Sequence, residues 1–447
     1  MRKSWMAAAA AMAMALGGAA MAPAQVDGGV RAATAPVLLK AAAVLDVRTG
    51  TYTRPGMVLV EHGRIAAIGA NLTAPTGTKT LELGDLTLLP GLIDCHVHLF
   101  LHAPQPGQPV DEAGQTVRED VPERTIFATL AARADLMAGF TAERDMGTEG
   151  AGNADAAVRQ AINRGEIPGP RMWISGNAIS IVGGHESAHG YNIAIPIPDN
   201  ADMVTGVTQL VETMRRQFHL GATFIKIYET GSERWVNNQF TVQYQFTEPE
   251  LAAAVAEADR LGTFIGVHDA GEPGTLYAAQ AGVASIDHAT QLSPETMKIM
   301  VAKRIFAVPT FSVYIAFNSK AMGGPGGTSR TIAYKASEFR KQLAAGVPIA
   351  MGTDVGPFPH GTQAQEFYWM VHYGMSPLAA IQAGTINASE LLRDDKNIGT
   401  LEVGKYADIV GVAGDPLQNI RLLEDVKFVM KGGEVEKTRE QGTVPER

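Results

Sequence analysis

The chain has a single cysteine, Cys95, among its 447 residues. One thiol cannot form an intrachain disulfide, so packing must stabilise the fold even in an oxidising compartment. Runs of lysine or arginine are also missing, and 37 basic residues against 46 acidic ones give a net charge of −9. We therefore expect no nucleic-acid partner, and a small or weakly charged substrate fits this composition better.

Long apolar stretches are missing after residue 24, because none reaches the roughly 18 apolar residues of a transmembrane helix. The sequence also has no G-x-S-x-G elbow, no P-loop and no dinucleotide-binding fingerprint before a helix. These absences disfavour serine hydrolases, P-loop enzymes and Rossmann-type dehydrogenases.

Residues 1–24 have the pattern of a secretory signal peptide. Two basic residues precede an Ala/Met/Leu-rich stretch, and the small-residue site Ala22-Pro23-Ala24 stands before Gln25. An uncleaved anchor helix is the alternative, but a short, alanine-rich stretch favours cleavage. We expect an exported protein, periplasmic or secreted, with no membrane contact after the signal is removed.

Short apolar runs punctuated by glycines occupy both ends of the remaining chain. They lie in residues 36–88 and recur over 397–414 and 425–436. This spacing is typical of short strands joined by turns. We predict that residues 25–88 and 395–447 form one small β-sandwich domain, and two unrelated β appendages are the alternative.

Candidate strands alternate with candidate helices in the middle of the chain, as in a parallel sheet with crossover helices. The clearest helix is Glu248–Leu261, which has a capping box in Thr247 and Glu250 and a stop at Gly262. Ser-Pro pairs predict two further helix starts, at Ser293 and Ser376. The eight candidate strands are 92–99, 140–147, 171–180, 224–231, 263–270, 284–290, 305–312 and 348–356.

Eight such units predict an α/β fold with a (β/α)8 TIM barrel over residues 89–394, whose active site lies at the C-terminal ends of the strands. Histidines end the first of these strands. Because side chains alternate along a strand, His96 and His98 share one face and Cys95 lies on the other, which disfavours Cys95 as a nucleophile. Paired imidazoles favour a divalent metal such as zinc; histidines that only hydrogen-bond to loops are the alternative.

Other ligand-type residues stand at the same end of later strands. Lys226 belongs to the fourth strand, His268 to the fifth, His288 to the sixth and Asp354 to the eighth. A lone strand-end His or Asp is more often a loop hydrogen-bonding group. Several at one end of separate units indicate a shared metal site.

This H-x-H…K…H…H…D pattern resembles the binuclear amidohydrolase superfamily, and the resemblance covers nearly the whole mature chain, including GKYADIV at 404–410. The strings FIKIYETG, HDA, DHAT and GTDVG resemble most the exported prolidase-like and carboxypeptidase-like branch, which includes ochratoxin-hydrolysing amidohydrolases. The resemblance implies a hydrolase of small-molecule or dipeptide substrates, assembled as a homo-oligomer of up to eight subunits.

The resemblance also implies a set of ligands for two divalent ions, taken to be Zn²⁺. His96, His98 and Asp354 would bind the more buried ion, and His268 and His288 would bind the second. A water between the ions would lose its proton and attack the scissile carbonyl, while one ion polarises that carbonyl. Asp354 would then carry the proton to the leaving amine as general base and later acid.

Lys226 would carry a CO2-derived carbamate that bridges the two ions. Dications repel an ammonium, whereas an anionic carbamate offers one oxygen to each; an unmodified Lys226 paired with an acid is the alternative. Tyr228 lies two residues further along the same strand face. It would donate a hydrogen bond to the developing oxyanion or to a substrate carboxylate, and a packed aromatic is the alternative.

Residues 185–189 read His-Glu-Ser-Ala-His, a formal H-E-x-x-H zinc motif that requires a helix. Glycines flank it on both sides, so a helix is disfavoured. We predict instead a loop over the metal site, in which His185 or His189 contacts the substrate or its oxyanion. Loop histidines without that role are the alternative.

Aromatic residues after the last two strands favour an apolar side-chain pocket over ordinary packing; they are Phe311, Tyr314, Phe317, Phe358, Phe367, Tyr368 and Trp369. With the resemblance, they imply cleavage of the amide bond before a C-terminal hydrophobic amino acid. Substrates would include dipeptides, N-acyl amino acids and ochratoxin A, which would release phenylalanine and ochratoxin α. The alternatives are an imidazolonepropionase-like or hydantoinase-like cyclic-amide hydrolase, a zincin protease using Glu186, and a non-catalytic periplasmic binding protein.

Overall fold

The computed structural model describes residues 35–104, 111–188, 192, 194–319 and 329–439. The predicted signal peptide and His189 lie outside these residues. The chain has a mixed α/β fold. Its strands are β1 (Val37–Ala41), β2 (Ala43–Asp46), β3 (Thr51–Thr53), β4 (Gly56–Glu61), β5 (Arg64–Gly69), β6 (Lys79–Glu82), β7 (Leu86–Pro90), β8 (Leu92–Val97), β9 (Phe140–Asp145), β10 (Arg171–Ile174), β11 (Ile179–Ile181), β12 (Asp202–Val204), β13 (Ile225–Tyr228), β14 (Arg234–Val236), β15 (Gln239–Thr241), β16 (Ile265–Asp269), β17 (Ser285–His288), β18 (Phe306–Val308), β19 (Ile409–Ala413), β20 (Phe428–Lys431) and β21 (Glu434–Lys437).

The helices follow the strands in alternation through the middle of the chain. They are α1 (Glu112–Arg118), α2 (Val121–Met137), α3 (Ala154–Asn163), α4 (Gly206–His219), α5 (Glu248–Leu261), α6 (Gly274–Ala281), α7 (Pro294–Lys303), α8 (Phe311–Asn318), α9 (Arg330–Ala345), α10 (Gln365–His372), α11 (Pro377–Gln382) and α12 (Ala388–Leu391), with a π turn over Ala383–Asn387 and a 3-10 helix over Ile420–Asp425. Among the described residues, no helix is both long enough and apolar enough to cross a membrane.

The two ends of the described chain share their sheets. One sheet has the order β5-β4-β1-β6, and the other has the order β21-β20-β19-β7-β2-β3. The C-terminal strand β19 pairs antiparallel with the N-terminal strand β7, from Ile409 opposite Pro90 to Ala413 opposite Leu86. Side chains from both sheets, including Leu39 and Ile409, form one apolar cluster between them. These contacts bury one face of each sheet, which stabilises the pair.

Parallel strands in the middle of the chain are joined side to side in a cycle. Strands β8, β9 and β10 pair in sequence, and so do β13, β16, β17 and β18. The backbone N–H of Thr223 donates to the carbonyl of Ile174 at 2.7 Å, which links β10 to β13. The remaining link is made by two isolated bridges, since Ile349 pairs with Ala307 of β18 and Val355 pairs with Val97 of β8. All C-terminal strand ends therefore point to one side.

Three of the predicted strands were wrong in extent. The stretch 171–180 is two strands rather than one, since the chain turns at Gly176 with φ +70°. The stretch 305–312 ends as a strand at Val308 because α8 begins at Phe311. The stretch 348–356 makes only isolated bridges, and the backbone N–H of Thr353 donates to the Asp94 carboxylate at 3.1 Å.

The predicted helix signals were confirmed. Helix α5 covers Glu248–Leu261, has the Thr247/Glu250 capping box and ends at Gly262 with φ 72°. The Ser293 and Ser376 side chains accept hydrogen bonds from the third residue of α7 and α11, respectively. Each satisfies a backbone donor that the helix itself cannot pair.

Candidate active site

The C-terminal strand ends open on a cavity of about 470 Å³. This volume is in the range of small-molecule sites. Eight of the nine predicted site residues line it: His96, His98, His185, Lys226, Tyr228, His268, His288 and Asp354. Cys95 is instead buried in an apolar cluster with Ile93 and Ala142, as the strand alternation predicted.

Three side chains converge within this cavity. The Nε2 atoms of His96 and His98 lie 3.4 Å and 3.3 Å from Oδ1 of Asp354, and 3.3 Å from each other. The ligand atoms of these three residues lie within 4.8 Å of one another, a spacing that could hold a metal ion. Strand alternation brings the two histidines together, and the bridge between Val97 and Val355 places Asp354 beside them.

The outer nitrogens of both histidines are occupied. Nδ1 of His96 donates to Oδ2 of Asp287 at 2.8 Å, and Nδ1 of His98 donates to the carbonyl oxygen of Gly147 at 2.9 Å. Each ring therefore keeps its Nε2 lone pair for a metal, as metal-binding histidines in proteins generally do. The Asp287 carboxylate was not predicted as a site residue.

A second pair of imidazoles lies next to the first. The ring centroids of His268 and His288 are 4.3 Å apart, and those of His96 and His288 are 5.1 Å apart. Nδ1 of His288 is hydrogen-bonded to Thr310 Oγ1 at 2.8 Å, but its Nε2 atom is buried and has no hydrogen-bond partner within the described segments. A buried orphan nitrogen is costly unless a ligand uses it, so this donor set fits a metal ion.

Lys226 is fully buried on β13, and its Nζ atom has no hydrogen-bond partner among the described residues. In the described part of the chain Lys226 makes no ion pair with an acid, unlike the unmodified, paired lysine considered from the sequence. Burial lowers the pKa of the Lys226 amine, because desolvation penalises its charged form. A neutral buried amine is the form that can add CO2, so the surroundings fit the carbamate.

Two residues predicted to contact the substrate, Tyr228 and His185, lie beside the second pair of imidazoles. Tyr228 is buried, and its hydroxyl donates to Oε1 of Glu149 at 2.6 Å. The ring of His185 lies 4.3 Å from that of His268 and 4.6 Å from that of Tyr228, measured between centroids. Residues 185–188 form a turn rather than a helix, which excludes the zincin geometry for the described part of the H-E-x-x-H string.

Four residues that line the cavity have a left-handed backbone conformation, with positive φ, which residues other than glycine rarely adopt. They are Glu149 (φ 49°), Glu186 (φ 64°), His288 (φ 70°) and Asp354 (φ 61°). Each such residue costs roughly 1–3 kcal/mol and persists where the surroundings dictate its position. Their grouping around one cavity is typical of a functional site.

Two of the seven aromatic residues expected to form an apolar pocket line the cavity. Tyr314 and Phe317 line the cavity, whereas Phe311, Phe358 and Phe367 are buried in the core. Tyr368 and Trp369 pack against the edge of the core on α10.

Sequence reasoning missed three carboxylates that line the cavity, Glu112, Glu149 and Glu233, and considered a fourth, Glu186, only as the base of a zincin. Glu149 stands two residues beyond the second candidate strand, so a wider strand-end criterion could have found it. Glu112 and Glu233 carry no such signal, because Glu112 lies on α1 and Glu233 follows β13 in an irregular segment.

The amidohydrolase family model matches residues 87–444. Ochratoxinase from Aspergillus niger is 29% identical over 437 residues, covering 90% of this chain and 87% of that protein. Imidazolonepropionase from Geobacillus sp. (strain WCH70) is 25% identical over 425 residues, covering 84% and 91%. The crystal structure of a Xaa-Pro dipeptidase with methionine bound in the active site is 30% identical, with a TM-score of 0.79, covering 90% of this chain and 99% of that one.

Proposed function

The chain belongs to the amidohydrolase family and is a hydrolytic enzyme, and from this premise we propose that it is a binuclear metal-dependent amidohydrolase of the carboxypeptidase and prolidase type. Its reaction is hydrolysis of the amide bond before a C-terminal hydrophobic amino acid. The observation that carries the proposal is the convergence of His96, His98 and Asp354 beside two buried orphan nitrogens, on Lys226 and His288.

The same residues would hold the cofactors, which are two divalent metal ions. His96, His98 and Asp354 would hold one divalent ion, His268 and His288 a second, and a carbamate on Lys226 would join the two sites. When bound, two such ions lower the pKa of a water and polarise the scissile carbonyl. Zinc suits a set of imidazoles and carboxylates.

The protein residues supply the proton transfers and the orientation. Oδ1 of Asp354 lies at the convergence point, where it can take a proton from the attacking water and deliver it to the leaving nitrogen. The rings of Tyr228 and His185 lie side by side, with centroids 4.6 Å apart. His185 can donate a hydrogen bond to the carbonyl oxygen as it gains charge, and Tyr228 can do so when its hydroxyl turns from Glu149 to the substrate. Tyr314 and Phe317 offer apolar surface to a hydrophobic side chain.

The proposal includes the architecture around the site. We infer a closed (β/α)8 barrel over residues 89–394 and a β-sandwich built from 25–88 and 395–447, on the basis of the cycle of strand contacts and the shared end sheets. We further propose an exported protein, periplasmic or secreted after loss of residues 1–24, that assembles as a homo-oligomer. Recovery of the protein from the periplasm or the medium without residues 1–24 tests export. Size-exclusion chromatography with light scattering on that form tests the homo-oligomer.

The names of similar proteins support the proposed substrate class. One is an ochratoxinase and another a Xaa-Pro dipeptidase, so ochratoxin A and dipeptides ending in proline or an aromatic residue enter the substrate panel. The similarity to imidazolonepropionase keeps a cyclic-amide hydrolase as the second candidate. An N-acyl-phenylalanine assayed against a hydantoin distinguishes the two.

The central test is hydrolysis of a panel of dipeptides, N-acyl amino acids and ochratoxin A, with zinc supplied and then chelated. We expect hydrolysis that chelation abolishes and zinc restores, and a nearly inert Lys226→Ala variant. Lys431→Met is the matched control, since it removes a lysine that donates to the carbonyl oxygen of Gly169, away from the cavity. Activity that survives both chelation and Lys226→Ala would contradict the proposal.

A further inference from the structure

Four carboxylates besides Asp354 line the cavity, and one of them, Glu233, already accepts hydrogen bonds from two hydroxyl groups. These hydroxyls belong to Tyr314 and Thr290. Glu112, Glu149 and Glu186 remain. We call these three residues the acidic wall; they line the same cavity as the expected metal site, and Glu149 Oε1 lies 3.1 Å from His98 Nδ1.

This acidic wall has unfilled hydrogen-bonding capacity. Glu149 is only 2% exposed, and its Oε2 atom has no hydrogen-bond partner among the described residues, although Oε1 accepts from Tyr228 and lies 3.1 Å from His98 Nδ1. Within the described residues, the Glu112 carboxylate makes no hydrogen bond or ion pair with any other residue. A buried carboxylate oxygen without a donor is expensive, so its presence in a cavity points to a ligand that donates.

Glu186 is held in place more firmly. Nδ2 of Asn200 donates to its Oε2 atom at 2.9 Å, and Nε2 of His185 lies 3.2 Å from its Oε1 atom. Its left-handed backbone, with φ 64°, turns it from the loop after β11 towards the cavity. The loop therefore presents a fixed carboxylate rather than a mobile one.

Among the described residues, the cationic partners within reach of the acidic wall are histidines: His98 Nδ1 lies 3.1 Å from Glu149 Oε1, and His185 Nε2 lies 3.2 Å from Glu186 Oε1. Burial raises the pKa of Glu112, and the nearby charges of Glu186 and Glu149 raise it further. Arg234 lines the neighbouring cavity, but it makes no ion pair with any of the three within the described part of the chain. A cation placed among these carboxylates would relieve their mutual repulsion.

A second cavity, of about 580 Å³, lies directly beside the first. Both are lined by Glu112, His185, Glu186, Gly231 and Ser232. Glu112 and Glu186 therefore stand where the two cavities meet, on the path that a substrate larger than the metal site must occupy.

We propose that Glu112 and Glu186, backed by Glu149, bind a primary ammonium group of the substrate. The inference rests on the proposed function and narrows it, because it favours substrates with a free amine over neutral N-acyl amino acids. The ammonium has two possible sources, the α-amine of a dipeptide or the side chain of a basic residue. An ammonium offers three donors, which matches carboxylates that surround one point.

Two isosteric substrate pairs test the proposal and separate the sources. Glycylphenylalanine and N-propionylphenylalanine differ by an ammonium in place of a methyl group, and so do N-propionyl-lysine and N-propionyl-2-aminoheptanoic acid, in the side chain. We expect zinc-loaded enzyme to prefer the charged member of one pair by about tenfold or more in kcat/KM, as for one charge-assisted hydrogen bond. The pair that responds identifies the source. Equal or better hydrolysis of both neutral members overturns the inference.

Variants connect the preference to the acidic wall. Glu112→Gln and Glu186→Gln should each reduce the charged-to-neutral ratio by roughly fivefold, whereas Glu212→Gln, which removes an exposed carboxylate on α4, should leave it unchanged. A ratio that neither cavity variant alters overturns the inference. If none of the four compounds is hydrolysed, the wider substrate panel still decides the proposed function. Calorimetric binding of the same four compounds then decides the inference, since tighter binding of a charged member supports it and equal binding overturns it.

Discussion

Nδ1 of His96 donates to Oδ2 of Asp287 at 2.8 Å, and the same oxygen accepts from Nη2 of Arg144 at 2.7 Å. Both partners of Asp287 are buried, and the Ser285 hydroxyl donates to its other oxygen. The carboxylate is therefore held in one orientation by three donors. This arrangement fixes the proton of His96 on Nδ1 and leaves Nε2 free for a metal.

The first prediction concerns this carboxylate. Asp287→Asn should weaken zinc binding by roughly 10- to 100-fold, because the amide no longer holds His96 in the required tautomer. Zinc affinity is measured by competition with a chelator of known affinity. Asp259→Asn on α5, which removes an exposed carboxylate, is the control and should bind zinc as the wild type does. Wild-type zinc affinity in Asp287→Asn would contradict the assignment.

The hydroxyl of Tyr228 is the subject of the second prediction. Tyr228→Phe should lower kcat/KM by roughly 10- to 100-fold while the zinc content is unchanged, because it removes one hydrogen-bond donor from the cavity. A fall in kcat would indicate contact with the developing oxyanion, and a rise in KM would indicate contact with a substrate carboxylate.

Tyr52→Phe is the matched control for Tyr228→Phe. The Tyr52 hydroxyl also donates to a carboxylate, that of Asp415 at 2.5 Å, but it belongs to the end sheets. Its loss should leave kcat and KM unchanged. If Tyr228→Phe behaved in the same way, Tyr228 would be a packed aromatic.

The site residues that could be predicted from the sequence are those whose side-chain direction is set by a strand. Strand alternation puts His96 and His98 on one face, and the parallel arrangement brings the later strand ends to the same side, so local pattern and topology sufficed. Glu186 was considered only as a protease base, because its actual position depends on Asn200 and on a left-handed loop conformation. Asp287 directly precedes a predicted ligand, yet its role depends on Arg144, which is distant in sequence.

The misjudged eighth strand has a similar cause. Residues 348–356 have the apolar composition of a strand, but the Asp94 carboxylate accepts hydrogen bonds from the backbone and the hydroxyl of Thr353. A side chain thus replaces part of the backbone ladder. Such tertiary substitution leaves no local signal, since Asp94 lies far away in the sequence.

The third prediction concerns the GKYADIV string. Arg171 of β10 forms a two-pronged ion pair with Asp408, at 2.9 Å and 3.1 Å, and both side chains are buried. The guanidinium groups of Arg64 and Arg171 lie over the ring of Tyr406. The string therefore connects the end sheets to the parallel strands.

Asp408→Ala should destabilise the protein by about 3–5 kcal/mol, because it leaves the Arg171 charge buried and unpaired. Thermal melting measures the loss, and Arg171→Met combined with Asp408→Ala should recover part of it. Glu82→Gln breaks the exposed ion pair with Lys40 and should change stability by less than about 1 kcal/mol. Equal melting temperatures for the two single variants would contradict the role of this pair.

The fourth prediction is a pH dependence that arises from Glu366 of α10. Its buried carboxyl accepts hydrogen bonds from the backbone N–H groups of Phe311 and Ser312, at 2.8 Å and 2.7 Å, and from the Ser312 hydroxyl at 2.7 Å. Burial raises the pKa of Glu366 from 4.5 to about 7, and these hydrogen bonds only partly offset that effect. A raised carboxyl pKa means that the folded state binds the proton more tightly than the unfolded state does. The stability from the protonated form is therefore complete below pH 4.5 and is lost as the pH rises through about 7.

Glu366→Gln removes this titration and should make the stability difference from wild type depend on pH. Near acidic pH the variant should be less stable by roughly 1–3 kcal/mol, because its amide NH2 group faces a backbone N–H. Above the folded pKa the wild type has itself lost up to about 3 kcal/mol, so the difference should shrink or vanish. Melting temperatures of both proteins at about pH 5 and about pH 8 measure the change, and Glu295→Gln, an exposed carboxyl on α7, should show no such trend. A difference that stays constant or grows with pH would show that Glu366 is ionised in the folded protein throughout this range.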